Sequence, residues 1–264
     1  QFKCVEIEIK DEALAYEYFD AVNAKGVELS ISNLLRNLFL KNLTESYRSS
    51  AEYEWNEIEE KIKQTPGASL DQFFNYYWCA KQEYISGGGK KLYRAIKKVT
   101  EDYSKNQWGI LLVEIGSYCD LYINLLRGGI DTFKITDHHK KKKFYSSIMA
   151  LRTMKNSTWI IIMMNYLFNL KEYQKNGIQP DKLAHLMEYF VFNYFTILGL
   201  GGNKFFQLMH SYCEKFNLNI EKNHSKSQFI KTFNLFKNEI LELKPDDKNK
   251  YIERASDRLL YASD

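Results

Sequence analysis

The segment GGGKK at residues 87–91 has the residue types of a phosphate-binding loop, because glycines beside lysines can surround phosphate oxygens with N–H groups and positive charge. It lacks the GxxxxGK[ST] spacing, and no predicted buried strand precedes it. The segment is therefore better explained as a flexible connection between two helices.

A second basic segment, HHKKKK at residues 138–143, could bind a metal ion through its histidines or a phosphate backbone through its lysines. Adjacent histidines on a helix diverge by about 100°, whereas a metal-binding helical pair needs i, i+4 spacing. The segment is more typical of a solvated basic helix start, and nonspecific contact with a DNA backbone is the alternative. The residues that would make this contact are Lys140, Lys141, Lys142 and Lys143.

The other titratable residues do not form a recognisable catalytic or metal-binding motif. His185, His210 and His224 are scattered, and none of them lies beside a cysteine or serine in a nucleophile motif. The cysteines are far apart and are typical of reduced, buried thiols; they are Cys4, Cys79, Cys119 and Cys213. The sequence alone therefore predicts no catalytic residue, no metal site and no cofactor bound by this chain.

The elements that carry these residues are predicted to be almost entirely helical. Only 3 prolines and 13 glycines interrupt the 264 residues, and 45% hydrophobic content suffices for a substantial core. Helical periodicity and capping residues predict a mainly α fold, a multi-helix and bundle-like body. The predicted helices span residues 11–23, 30–39, 51–64, 69–78, 90–104, 107–126, 137–154, 157–173, 181–198, 204–216 and 227–243, and a last helix follows residue 245.

Two helix starts and one buried face are specific enough to test. Ser30 is a predicted N-cap, and Ser69 with Gln72 forms a predicted capping box. In the helix at residues 51–64, the spacing of the large apolar side chains predicts which face is buried. That face comprises Tyr53, Trp55, Ile58 and Ile62.

The first residues have a different pattern. FKCVEIEIK at residues 2–10 alternates apolar and polar side chains with the period of a half-buried strand. No second convincing strand follows, and an isolated strand leaves its backbone groups without partners. We therefore expect this one short N-terminal strand to pair with another copy, or to be left over from a truncated α/β domain that lies upstream.

Charge and hydropathy favour a globular, cytoplasmic protein without a membrane partner. The net charge of +4 comes from 37 basic and 33 acidic residues, which indicates solvated helix faces more than a dedicated polyanion binder. The apolar runs at residues 159–164 and 189–200 fall short of the roughly 20 residues that span a bilayer. The chain has no secretory signal and opens with Gln1, which suggests a piece of a longer protein.

One motif carries a resemblance to a known family. The chain follows the pattern F-x-x-x-N-x-x-G-x-x-L-[ST]-x-x-x-L-[LR]-[KR]-N through Phe19, Asn23, Gly26, Leu29, Ser30, Leu34, Leu35, Arg36 and Asn37. This pattern resembles the end of the N-terminal domain in the GmrSD-type restriction proteins. The residues before the motif and the segments WNEIEE, SLDQFFNYYW, KKLYRAIKK and EYFVFNYFTILG resemble the helical body of these proteins. Two residues depart from the family: Asn33 replaces a usual acidic residue, and Asn193 a frequent arginine.

The resemblance implies a middle piece of a modification-dependent DNA restriction enzyme. Residues 1–45 would end a nucleotide domain similar to ParB and sulfiredoxin, and residues 46–264 would form a helical connector with a seam near residues 127–136. The DGQQR nucleotide motif and the His-Asn-His nuclease motif of the family are absent from the sequence. The missing N-terminal and C-terminal domains of the parent protein would therefore hold the nucleoside triphosphate, the divalent metal and the DNA-cutting site.

Within this family the residues closest to a nucleotide or phosphate would be Asn23, Lys25, Gly26, Ser30, Arg36 and Asn37. The alternative is that these residues only shape and cap a helical turn. The chain itself would be non-catalytic, would meet DNA through the parent protein and could form a homodimer. A stand-alone helical protein-interaction module is the rival hypothesis.

Overall fold

The structure, a computed structural model, describes residues 30–82, 89–129, 133, 135–154, 156–197 and 201–242. The described residues are mainly helical and contain no strand, so the predicted mainly α class is confirmed. The predicted strand at residues 2–10, the helix at 11–23 and the last helix after residue 245 lie outside the described residues.

Eleven α-helices and one π-helical segment make up the described part of the chain. They are α1 Ile31–Asn42, α2 Glu45–Lys63, α3 Leu70–Lys81, α4 Gly89–Val99, α5 Lys105–Arg127, α6 His138–Thr153, α7 Trp159–Phe168, α8 Leu170–Lys175, α9 Pro180–Val191, the π-helical segment Phe192–Ile197, α10 Gly202–Glu221 and α11 Lys226–Glu242.

Two predicted helices are interrupted in ways that the sequence pattern did not show. The helix predicted at residues 157–173 is divided into α7 and α8 at Asn169, whose backbone leaves the helical region at φ −101° and ψ 25°. The Asn165 carbonyl at the end of α7 accepts both the Asn169 backbone N–H at 3.2 Å and the Asn169 side-chain amide at 3.0 Å. The helix predicted at 181–198 starts at Pro180 and changes to π-helical geometry at Phe192.

Both predicted helix starts are seen. The Ser30 hydroxyl oxygen accepts the Asn33 backbone N–H at 3.4 Å, and the Ser69 hydroxyl oxygen accepts the Gln72 N–H at 3.2 Å. Each bond satisfies one of the N–H groups that a helix start leaves without a partner inside the helix.

The chain forms two compact units. The first unit contains the described residues 30–75 and 89–116, and the second contains 76–82 and the described residues from 117 onwards. Helices α3 and α5 each contribute residues to both units. The predicted domain boundary after residue 45 and the seam near 127–136 remain predictions.

The core of the first unit is built around Trp55 of α2, which is 1% exposed. Its ring stacks on Phe74 at a centroid distance of 5.5 Å and lies 5.6 Å from the ring of Phe39. Ile58 and Ile62 are buried on the same face, as predicted. The prediction was wrong for Tyr53, which is 66% exposed, because two residues of helix rotate it by about 200° away from Trp55.

The core of the second unit contains α7, whose residues from Trp159 to Leu167 are all buried. A helix that is apolar on every side must be surrounded by protein, and α7 packs against α9 and α10. Cys79, Cys119 and Cys213 are buried in this unit and form no disulfide, as predicted, whereas Cys4 lies outside the described residues. Burial raises the pKa of the Cys213 thiol.

The C-terminal end of α3, within the second unit, is closed by side chains from α7 and α10. The Asn165 amide donates to the Ala80 carbonyl at 2.7 Å, and the Asn217 amide donates to the Ala80 and Lys81 carbonyls at 3.0 and 3.1 Å. His210 Nε2 donates to the Gln82 carbonyl at 2.9 Å. These bonds satisfy carbonyls that a helix end leaves free. His210, which belongs to no sequence motif, therefore helps to satisfy the end of α3.

Among the described helices, α5 is the one long and apolar enough to cross a membrane by length and composition. Core helices of globular proteins pass the same test. Its Trp108, Leu112 and Ile115 are buried in the first unit, and its Tyr118 and Tyr122 are buried in the second. These five side chains of α5 thus contribute to the protein cores, whereas Ile110 and Val113 of the same helix are each 60% exposed.

We expect the second unit to lose stability as the pH rises above about 10. Burial raises the pKa of Tyr166, whose hydroxyl donates to the Ile178 carbonyl at 3.0 Å, and it also raises the pKa of Tyr173. The folded chain holds these two protons to a higher pH than the unfolded chain, whose tyrosines ionise near their ordinary pKa of 10.0. The contribution is therefore complete below that pH and is lost above it.

Urea unfolding across the alkaline range measures this effect. Tyr173→Phe should flatten the fall in unfolding free energy with pH, because it removes one of the protons involved. Tyr189 is 54% exposed, so Tyr189→Phe serves as the control and should leave the fall unchanged. Equal slopes in all three proteins would contradict the assignment.

Candidate phosphate-binding cleft

A cleft with a volume of about 400 Å³ lies in the first unit, where α1 packs against α4. Four cationic side chains and one carboxylate, Glu101, line it. The cations are Lys41, Arg94, Lys97 and Lys98. Concentrated positive charge in a concave site attracts anions, because the walls keep solvent from screening the field.

Helix α4 supplies most of this charge because of its sequence, GKKLYRAIKKV. Leu92 and Ile96, one turn apart, are 0% and 4% exposed and fix the buried face. The helix itself contains no acidic residue, and the first acidic residues after it are Glu101 and Asp102, four residues beyond Lys97 and Lys98. Lys91, Arg94, Lys97 and Lys98 are all exposed, and the last three of them line the cleft.

At the C-terminal end of α4, Thr100 satisfies a backbone carbonyl of the last turn. The carbonyl of Ile96 accepts both the backbone N–H of Thr100 at 3.0 Å and its hydroxyl at 2.8 Å. Free carbonyls at a helix end carry negative partial charge, so this pairing reduces the repulsion of a phosphate at one position of the last turn.

The opposite wall of the cleft belongs to α1. Asn37 and Lys41 lie one turn apart on this helix and both line the cleft. Asn42 also lines it, and its amide donates to the Leu38 carbonyl at 2.8 Å. Trp108 borders the cleft but is 2% exposed, because its ring packs against Phe39 at 5.0 Å.

The structure brings one of the residues singled out by the motif, Asn37, into this cleft. Ser30 caps α1 and shares a hydrogen bond of 2.7 Å with the Ser32 hydroxyl. Arg36 donates to the Asn56 side chain at 3.3 Å and does not line the cleft. The other three residues of that prediction, Asn23, Lys25 and Gly26, lie outside the described residues.

The lysine run at 140–143 forms the first turns of α6. The Asp137 carboxylate caps this helix by accepting the Lys140 backbone N–H at 3.0 Å, and this bond lowers the pKa of Asp137. The Lys140 ammonium donates to the Gln179 side chain at 3.1 Å and lies 3.7 Å from Asp137. Lys142 and Lys143 are exposed. This arrangement is that of a solvated basic helix start, and contact of the run with DNA remains a prediction.

The structure describes only the second part of the GGGKK segment. Gly89 to Lys91 form the first turn of α4, so this portion is helical and not a loop, whereas Gly87 and Gly88 lie outside the described residues. The predicted flexible connection can therefore apply only to residues before Gly89.

The described residues include no group of three histidine, cysteine or acidic side chains able to hold a metal ion. Ser147, Glu188 and His185 lie together, but the Ser147 hydroxyl donates to the Glu188 carboxylate at 2.7 Å. His185 Nδ1 lies 3.3 Å from the same carboxylate and is highly exposed. A nucleophilic serine needs a hydrogen bond to the base, and here the carboxylate lies between the serine and the histidine.

Sequence reasoning missed the cations of α4 as site residues. Their signal is a helix with several basic residues and no acidic residue, which distinguishes α4 from the mixed-charge helix α2. The involvement of Lys41 could not be inferred from the sequence, because it depends on the packing of α1 against α4.

Comparisons of the chain with protein-family models, with curated proteins and with solved structures found no match. The resemblance to the GmrSD-type family therefore remains a prediction from the motif.

Proposed function

We propose that this chain is the helical connector of a GmrSD-like DNA restriction and phage-defence protein, and that its first unit contacts nucleic-acid phosphates through the cleft. The connector links a nucleotide-sensing domain to a DNA-cleaving domain and is not catalytic alone. In this proposal, the nucleoside triphosphate and the divalent metal belong to the other domains of the parent protein.

The observation that supports the proposal is that one cleft unites two segments of the resemblance that are far apart in the sequence. Asn37 ends the motif at the start of the chain, and KKLYRAIKK forms most of α4. Lysine and arginine bind DNA largely by neutralising phosphates and releasing counterions. The four cations around the cleft supply charge of this kind, and the concave site concentrates it.

Fluorescence anisotropy with a short labelled DNA duplex tests the proposal. We expect weak binding whose logarithmic association constant falls with the logarithm of salt concentration, with a slope of about −2 for two phosphate contacts. The triple variant Arg94→Gln/Lys97→Gln/Lys98→Gln should remove at least half of this slope, because only Lys41 of the four cleft cations remains. The chain should not cleave the duplex in the presence of Mg²⁺.

A matched control is the triple variant Lys141→Gln/Lys142→Gln/Lys143→Gln in α6, which removes the same charge from the other lysine-rich segment. It should keep most of the affinity and of the salt slope. Equal losses of affinity in both triple variants would show that DNA does not bind specifically at the cleft. An absence of DNA binding at about 50 mM salt would overturn DNA binding by this chain.

The rival function, a helical interaction module, is favoured by a second groove in the first unit. This groove has a volume of about 290 Å³ and lies between α2 and α5. Tyr47, Ile110 and Val113 on its walls are 62%, 60% and 60% exposed, which is unusual for large apolar side chains so close together. Concentration-dependent dimerisation in sedimentation experiments, abolished by Ile110→Asp and unaccompanied by DNA affinity, would favour this function.

A further inference from the structure

We infer that the cleft holds two neighbouring phosphates of a single DNA strand, with the nucleotide between them against the ring of Tyr93. This inference rests on the proposed function and specifies the form of nucleic acid that the cleft takes. It follows from the spacing of the polar side chains, from the size of the cleft and from its aromatic wall.

The spacing of the cleft residues repeats on both walls. Arg94 and Lys98 are four residues apart on α4, and Asn37 and Lys41 are four residues apart on α1. A helix rises about 1.5 Å per residue, so each pair is separated by about 6 Å along its axis. This distance is comparable to that between neighbouring phosphates on a strand. Arg94 and Lys98 can therefore contact neighbouring phosphates of one strand.

The size of the cleft favours a strand over a duplex. A volume of about 400 Å³ is within the range of sites that surround a small ligand. It accommodates roughly one nucleotide, whereas a duplex keeps its bases paired and stacked inside and would present only its backbone to the cleft residues. A single strand can place both its backbone and one base inside.

Tyr93 supplies the surface for that base. It follows Leu92 on α4 and is half-buried in the wall of the cleft, beside Arg94. Trp108 cannot take this role, because it is 2% exposed and packed against Phe39. Aromatic side chains next to backbone-binding cations are the usual combination in proteins that bind single strands without sequence preference.

The test compares three probes in anisotropy experiments on the full chain: a labelled oligothymidylate, a labelled duplex of the same length, and unlabelled thymidine monophosphate as competitor. The oligothymidylate should bind about tenfold more tightly than the duplex. The monophosphate, which carries one phosphate, should compete only at far higher concentration than an unlabelled oligothymidylate.

Substitutions then locate the strand. Tyr93→Ala should weaken oligothymidylate binding about tenfold, and Tyr93→Phe should retain it, because stacking needs the ring and not the hydroxyl. Arg94→Gln and Lys98→Gln should each reduce the salt slope by about 0.7, the value for one phosphate of a single strand. The control is Tyr145→Ala, an exposed tyrosine beside the lysine run of α6, which should change neither quantity. Circular dichroism and thermal unfolding establish that each variant is folded.

The outcomes separate the inference from the proposed function. Duplex binding equal to or tighter than strand binding, with both weakened by the cleft substitutions, would overturn the single-strand inference and leave DNA binding by the cleft intact. Competition by the monophosphate as effective as that of the strand would overturn the two-phosphate geometry. Absence of binding to every probe by the folded chain would overturn both.

Discussion

Trp55→Ala is expected to lower the free energy of unfolding by about 3 to 5 kcal/mol, a large fraction of the stability of a typical domain. The Trp55 ring is 1% exposed and contacts the rings of Phe39 and Phe74. Its indole N–H also donates to the Glu59 carboxylate at 2.6 Å. Truncation to alanine removes these contacts and leaves a cavity that the surrounding rings can fill only in part.

Urea unfolding followed by far-UV circular dichroism measures the change, and the same helix offers a matched control. Tyr53 is 66% exposed, two residues before Trp55, so Tyr53→Ala should change the unfolding free energy by less than about 0.5 kcal/mol. A similar loss in both variants would show that the buried face of α2 has been assigned incorrectly.

Asn165→Leu is expected to destabilise the chain by about 2 to 4 kcal/mol. The Asn165 side chain is fully buried, and its amide N–H groups donate to the Ala80 carbonyl and to the Asn217 side chain at 2.7 Å each. Its amide oxygen accepts a hydrogen bond from the Tyr173 hydroxyl. Leucine has a similar volume but no polar atom, so the Tyr173 hydroxyl would remain buried without its acceptor. A buried polar group without a partner costs more than the hydrogen bond contributed.

A second substitution distinguishes this mechanism from poor packing of leucine. If the cost arises from the Tyr173 hydroxyl, the double variant Asn165→Leu/Tyr173→Phe should be more stable than the sum of the two single changes predicts. Asn238→Leu, at an exposed position of α11, should have little effect in the same unfolding experiment. Strict additivity of the two buried substitutions would contradict the hydrogen-bond explanation.

The elements that the sequence predicted well are those specified by local chemistry. Ser30 and Ser69 cap helices because their hydroxyls reach N–H groups a few residues away, and this geometry needs no distant contact. Trp55, Ile58 and Ile62 share a face because of helical spacing alone. Tyr53 was assigned to that face incorrectly, since it is apolar enough for a core but lies on the other side of the helix.

The features that the sequence did not predict depend on distant residues. The end of α3 is closed by Asn165, His210 and Asn217, which are far from it along the chain. The cleft likewise requires α1 and α4 to pack together. Asn37 was predicted as a site residue from a sequence motif, not from the residues that surround it in the cleft. Helical periodicity indicates which side chains are buried but not which helices meet.

The continuity of α3 and α5 has a consequence for how this chain can be divided. The boundary between the units falls between residues 75 and 76 in α3 and between residues 116 and 117 in α5. Neither unit is thus one uninterrupted stretch of sequence, and an end-to-end gene fusion does not produce this arrangement. A truncated gene cut at either boundary would encode a broken helix with up to about four carbonyls or N–H groups lacking partners. Because both units share α3 and α5, one unit cannot be transferred to another protein without the other.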